Sequence, residues 1–143
     1  MKIKYAIIVV IALVVIAVAI GLKMFYKPHD DINKMKPDFK VQASELIDEF
    51  EKQEDASSAK YDGKVLEING KVSSKNQLPN GITVLMLEDE MQGISCQLDS
   101  GWVTGHRAVI ESLEPGKSVT VKGVCKGYLM EIKVSPAVVV AHQ

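Results

Sequence analysis

The last third of the chain alternates apolar and polar side chains with the period of a β-strand. Apolar residues or glycine occupy every second position over residues 119–125, and the same period returns over 130–134 after a reversal at Gly127. Pro115-Gly116 is a turn signal before the first run. The pattern predicts a β-hairpin with one buried face, whose second strand ends at Pro136. Because an isolated hairpin is marginal in water, further strands are required.

Three earlier segments supply those strands. Their predicted bounds are Lys64–Val72, Ile82–Leu87 and Ile94–Leu98, and glycine-containing turn signals precede the first two. Gly70 lies inside the first of these strands and indicates a bulge or bend of the kind that closes a small barrel. The middle strand is apolar on both faces, so we expect a cover outside the barrel.

Two helices are predicted around these strands. The first begins with Ser44 as its N-cap and carries the narrow apolar face that would cover the barrel. That face is formed by Leu46, Ile47 and Phe50. A glycine break over residues 101–105 precedes the second, short helix at 106–113, which is spaced to cap a barrel end. Trp102 beside it is interpreted as an apolar plug.

The N-terminal segment Tyr5–Leu22 is uncharged and rich in aliphatic residues. As a helix its residues span about 27 Å, close to the hydrocarbon thickness of a bilayer, and the aromatic residues and lysines that follow are typical of the interface. We therefore predict a single-pass anchor over residues 1–27, a juxtamembrane linker over 28–40 and a folded domain over 41–143. The alternative is a cleaved signal peptide, since Ala17-Val18-Ala19 matches a cleavage pattern. The domain is expected in the periplasm or outside the cell.

Charge argues against a polyanionic partner. Four of the 17 basic residues precede Pro28, so the remaining 13 oppose all 18 acidic residues and the soluble part is net −5. Nucleic-acid binders of this size usually carry a basic surface and aromatic stacking residues. The second and third predicted strands contain no aromatic residue, and the loop between them is acidic.

The order strand, strand, strand, short helix, strand, strand is that of the OB-fold. We therefore predict a mainly β domain, a five-stranded OB-fold Greek-key barrel. It has an N-terminal covering helix and a short helix between strands three and four, and one transmembrane helix precedes it. Three blocks of residues also resemble the tRNA_anti-like family of OB-fold proteins. They are Ala59-x-Tyr61-x-Gly63-Lys64, Ile68-x-Gly70-x-Val72 and Gly116-x-x-Val119-Thr120-Val121-Lys122-Gly123-x-Cys125-x-Gly127. The resemblance implies kinship with nucleic-acid-binding OB domains but supplies no catalytic residues.

No constellation of residues predicts catalysis, a metal site or a cofactor. The three histidines lie apart from one another and have no cysteine or carboxylate at metal-ligand spacing. Cys96 and Cys125 both fall on the inward parity of their strands. They are either two buried thiols or, if the domain lies outside the cytoplasm, a disulfide.

The predicted function is that of a membrane-anchored, non-catalytic binding module of the cell envelope. Its partner would be a protein, a peptide or a small ligand, while Tyr5–Leu22 contacts the membrane. Nucleic-acid binding and a purely structural envelope role are the alternatives. The candidate binding surface lies on the face of strands two and three and the loops beside it, and comprises Glu88, Asp89, Glu90, Gln97, Trp102 and Tyr128.

Overall fold

The computed structural model describes residues 2–25 and 31–143, and it divides into two compact units that separate after Asp30. Side chains of residues 23–30, which include the predicted interfacial aromatic residues and the start of the predicted linker, lie outside the described part. The elements are α1 Lys2–Phe25, β1 Phe39–Gln42, α2 Ala43–Lys52, α3 Glu54–Tyr61, β2 Val65–Gln77, β3 Thr83–Leu87, β4 Ile94–Leu98, α4 Ser100–Gly105, α5 Arg107–Ser112, β5 Ser118–Tyr128 and β6 Ile132–His142.

The strands β2 to β6 form the predicted OB-fold barrel. Antiparallel pairing joins β2 to β3 and β3 to β4, β4 pairs in parallel with β6, and β6 pairs antiparallel with β5. The barrel closes where β5 returns to β2, with Val124 opposite Val65 and Ser118 opposite Lys71. One strand was not predicted: β1 adds in parallel to the first half of β2.

Two predicted element bounds are wrong, the end of the last strand and the glycine break. The strand β6 does not end at Pro136, because that proline lies in a bulge where it removes no ladder hydrogen bond. Cys125 of β5 pairs with Val134 and Gly123 pairs with Ala137, so Ser135 and Pro136 of β6 are skipped in the ladder. The predicted glycine break is instead helix α4, since the Asp99 carboxylate accepts from the Trp102 N–H at 2.8 Å and caps it.

The start of α2 also differs from the prediction. The helix begins at Ala43 rather than after Ser44, because β1 leads directly into it and Gln42 is its N-cap residue. This places Ala43 against the barrel wall. A Cβ on Gly70 would lie 2.6 Å from the Cβ of Ala43, so glycine is required there by helix packing. The strand irregularity lies a little further along, between Val72 and Ser74.

The barrel has two differently closed ends. The hairpin end, at which β3 leads into β4 and β5 leads into β6, is covered by α2 and α3. There Phe50 packs against Tyr61 and Tyr128, with ring centroids 6.0 and 5.6 Å apart. The helical end is covered by α4 and α5, where Trp102 stacks on the His106 ring at 4.4 Å. Trp102 is buried, as its predicted role as an apolar plug requires.

A segment before β1, residues 31–38, is packed onto the outside of the barrel. Ile32 is buried in the core cluster, and the Lys122 ammonium donates to the carbonyls of Asn33 at 2.9 Å and Met35 at 3.1 Å. The Asp38 N–H donates to the Val65 carbonyl at 2.8 Å, and the Asp38 carboxylate accepts from the Val65 N–H at 2.9 Å. These contacts place residues 31–40 of the predicted linker in the same compact unit as the barrel. The predicted boundaries of anchor, linker and domain stay a prediction.

The N-terminal unit is the helix α1. Within it Ile3–Leu22 has a mean hydropathy of 3.1 over 20 residues, long and apolar enough to cross a bilayer. The same composition and position would suit a signal sequence. Its aliphatic side chains are exposed in the structure, as those of a membrane-facing or a cleaved segment would be.

Candidate binding surface

Two carboxylates of the acidic loop between β3 and β4 accept backbone N–H groups, one from β2 and the other from the loop itself. The Glu88 carboxylate accepts from the N–H of Lys71 at 3.0 Å. The Asp89 carboxylate accepts from the N–H groups of Met91 at 2.7 Å and Gln92 at 2.9 Å. These two bonds, first that from Gln92, hold the pKa of Asp89 below its ordinary value. Glu88 and Asp89 therefore stabilise the loop, and Glu90 is exposed.

The same loop folds back tightly on itself. A Cβ on Gly93 would collide with the backbone carbonyls of Leu87 and Asp89, so only glycine fits between them. Glu88 itself has a positive φ of 67°. The loop therefore presents its tip, Met91, on a backbone fixed by hydrogen bonds.

Three large apolar side chains at neighbouring hairpin tips are exposed, and we call them the apolar rim. They are Met91, Leu129 and Met130, which are 77%, 75% and 78% exposed. The two tips lie side by side, because Ile132 donates its N–H to the carbonyl of Gly93 at 3.1 Å where β4 and β6 run in parallel. Large apolar side chains that are exposed next to one another are candidates for an interaction site.

The outer face of β3 and β4 is neutral. Its cross-strand pairs are Val84 with Gln97 and Met86 with Ser95. Gln97 is exposed, Met86 is buried, and no aromatic or charged side chain stands on these two strands. The face therefore offers hydrogen-bonding groups but no ring for base stacking.

The structure does not bring the six predicted surface residues together. Trp102 belongs to the helical end, while Tyr128 is part-buried against Phe50 at the hairpin end. Every aromatic residue within 31–143 is buried or packed against the core. Sequence reasoning missed the apolar rim, although Leu129 and Met130 stand in a hairpin turn where polar residues or glycine are usual.

Of the two alternatives for Cys96 and Cys125, a disulfide or two buried thiols, this structure has the second, with both cysteines free and buried. Each lies opposite Val134, from the two sides of β6. Two strand spacings put their Cα atoms about 9–10 Å apart, beyond the reach of a disulfide. Burial raises the pKa of Cys96 to about 12. Burial also raises the pKa of Cys125, whose Sγ lies 3.8 Å from a carboxylate oxygen of Asp62.

Comparison with known proteins agrees with this architecture. The model of the tRNA_anti-like family matches residues 1–136. Among solved structures, a Klebsiella pneumoniae lipoprotein to which nucleic-acid binding is ascribed is similar, with a TM-score of 0.56 and 17% identity. The match covers 80% of this chain and all of the lipoprotein. At this identity it shows the fold.

Two aminoacyl-tRNA synthetases are similar over a smaller share. For the asparaginyl-tRNA synthetase of Entamoeba histolytica the TM-score is 0.42 at 15% identity, covering 57% of this chain and 22% of the enzyme. For a Leishmania major protein described as an aspartyl-tRNA synthetase the TM-score is 0.45 at 16% identity, covering 73% and 21%. Comparison with curated proteins gives no match.

Proposed function

Since the chain belongs to the tRNA_anti-like family of OB-fold proteins, we propose that it is a binding module of the cell envelope. In this proposal α1 anchors it in the membrane, and the apolar rim recognises a protein or peptide. The observation that carries the proposal is the exposure of Met91, Leu129 and Met130 on two adjacent, hydrogen-bonded hairpin tips. Methionine side chains suit such a surface, because they are flexible and adapt to apolar partners.

Nucleic-acid binding is the competing function, and the ascription to the Klebsiella lipoprotein is what favours it. Two features of this chain oppose it. The soluble part is net −5, which repels a polyphosphate. The aromatic residues within 31–143 are buried or packed against the core, and none stands on β3 or β4 as a stacking platform.

The burial of the two cysteine thiols supports a role without catalysis. Both thiols are buried with raised pKa values, so neither is a thiolate at neutral pH. Nδ1 of His106 lies 2.8 Å from the Trp102 carbonyl, and its ring is stacked on the indole. Within the described residues, no three metal-binding side chains cluster.

Photocrosslinking in intact cells tests the recognition surface. A benzophenone amino acid would replace Met91 or Met130, and a control would carry it at Lys117, an exposed residue just before β5 that belongs to neither hairpin tip. We expect one protein adduct from both rim positions and none from Lys117. Serine at Leu129 should abolish the adduct from Met91, whereas serine at the exposed Val140 should leave it intact.

Two results would contradict the proposal. Equal labelling from Lys117 would show that the rim is not the contact surface. Adducts that nuclease removes, together with a submicromolar and salt-sensitive dissociation constant for single-stranded RNA, would establish the competing function.

Topology needs a separate measurement. An alkaline phosphatase fusion after Gln143 should be active if the barrel lies outside the cytoplasm, and a reporter that is active only in the cytoplasm is the matched control. Resistance of the full-length protein to alkaline carbonate extraction would support the anchor. A mature N-terminus at Ile20 would instead establish a cleaved signal peptide.

A further inference from the structure

A second concave surface lies at the helical end of the barrel. The hairpin of β2 and β3 extends past the barrel wall and overhangs α4 and α5, leaving a cavity of about 640 Å³. This volume is within the range of small-molecule sites. We call it the polar pocket, and its walls include Lys75, Gln77, Asn80, Thr83, Thr104 and Arg107.

Two cations of the polar pocket have no carboxylate partner among the described residues. The Lys75 ammonium donates to the carbonyl of Ile110 at 2.6 Å, which fixes its position but does not neutralise its charge. Arg107 forms no ion pair within 4.0 Å in the described part of the chain, although Glu111 also lines the cavity. The pocket thus holds excess positive charge in a domain that is acidic as a whole.

The remaining walls present mainly hydroxyl and amide groups. Gln77 and Asn80 stand on the overhanging hairpin, and Thr83 begins β3. Thr104 stands opposite on α4, and its hydroxyl donates to the Ser100 carbonyl at 2.8 Å, which leaves its oxygen lone pairs as acceptors. No aromatic ring lines the cavity, so a planar base would find no stacking partner.

We propose that the polar pocket binds a small hydroxylated molecule that carries a carboxylate or a phosphate, such as a sugar acid or a sugar phosphate. The Arg107 guanidinium would hold the oxyanion through two parallel N–H donors, and Lys75 would add a fixed positive charge. The threonine and amide side chains would exchange hydrogen bonds with the hydroxyl groups. This site lies at the opposite end from the apolar rim and does not depend on the function proposed for it.

Saturation-transfer NMR on the full chain in detergent micelles tests the proposal. The probes are galactose, galacturonate and galactose 6-phosphate, which differ only in the presence and kind of oxyanion. We expect at least one anionic sugar to bind with a dissociation constant on the order of 1 mM, as is ordinary for ligands of this size, and galactose to bind more weakly. The better of the two anionic probes identifies the oxyanion.

Variants locate the binding. Arg107→Gln should weaken binding of the anionic sugar about tenfold. Lys75→Gln should weaken its binding less, because the lysine ammonium is a point charge and makes no bidentate contact. The matched control is Lys64→Gln, a charge removal at an exposed lysine at the hairpin end. Equal binding of all three sugars, no binding of any, or an equal effect of Lys64→Gln would overturn the proposal.

Discussion

Both ends of the barrel are closed by aromatic side chains, but different elements supply these side chains and the two ends expose different surfaces to water. At the hairpin end, aromatic rings from α2, α3 and β5 form the seal, and the hairpin tips beyond it expose Met91, Leu129 and Met130. At the helical end, Trp102 is the seal and the overhanging hairpin leaves a cavity with two cations. In this barrel, the side chains that close each end are therefore different from those that the end exposes. Each end can be tested independently.

Removing the seal of the hairpin end should have the largest effect. Phe50 is buried and contacts two aromatic rings, so Phe50→Ala should lower the free energy of unfolding by about 3–5 kcal/mol. It should also disturb the amide NMR signals of Leu129 and Met130, which follow Tyr128 directly.

The matched variant is Trp102→Ala at the helical end. It should cost a similar free energy, since it too removes a buried aromatic side chain, but leave the amide signals of the apolar rim unchanged. If Trp102→Ala shifts those signals as much as Phe50→Ala does, the two ends are not independent. Chemical denaturation and amide spectra together measure both quantities.

The next largest effect is expected from substitution of Gly70, at the contact between α2 and the barrel. Gly70→Ala would place a Cβ 2.6 Å from that of Ala43, so we expect a loss of about 1–3 kcal/mol from overpacking. Gly105→Ala, at the end of α4, is the control, because no atom lies within 4 Å of its added Cβ. Equal thermal midpoints for the two variants would contradict the account of this contact.

A smaller, pH-dependent effect is expected in the loop that carries Met91. The folded pKa of Asp89 is below its ordinary value of 3.8, so its hydrogen bonds stabilise the loop above pH 3.8 and are lost as the pH falls through the folded pKa. The amide signals of Met91 and Gln92 should move in that range. Asp89→Asn keeps an acceptor without the charge and should remove the titration, whereas persistent titration would point to another group.

The smallest expected effect concerns the interior that both ends share. Reductant should leave the thermal midpoint unchanged, because Cys96 and Cys125 are free and separated by β6. Counting thiols after denaturation without reductant should give two per chain. A count of zero that rises to two after reduction would instead establish a disulfide between them.

The sequence by itself determined the barrel and its order of strands. Strict alternation over residues 119–125 and over Ile94–Leu98 leaves one register that buries the apolar face, so those strands follow from pattern alone. The burial of Trp102 was also predicted, because it is a large apolar side chain beside a short helix that was expected to cap the barrel. The family blocks around Gly63, Gly70 and Gly123 pointed to the same fold.

Tertiary structure decided what local pattern leaves open. Pro136 is tolerated in β6 only because two neighbouring strands leave a bulge at that point, and Gly70 is required only because α2 packs there. The apolar rim and the polar pocket each join segments that are distant along the chain, such as Met91 with Leu129 and Lys75 with Arg107. Sequence spacing carries no record of such proximity, because it arises when the barrel closes and brings separate hairpins and helices to the same end.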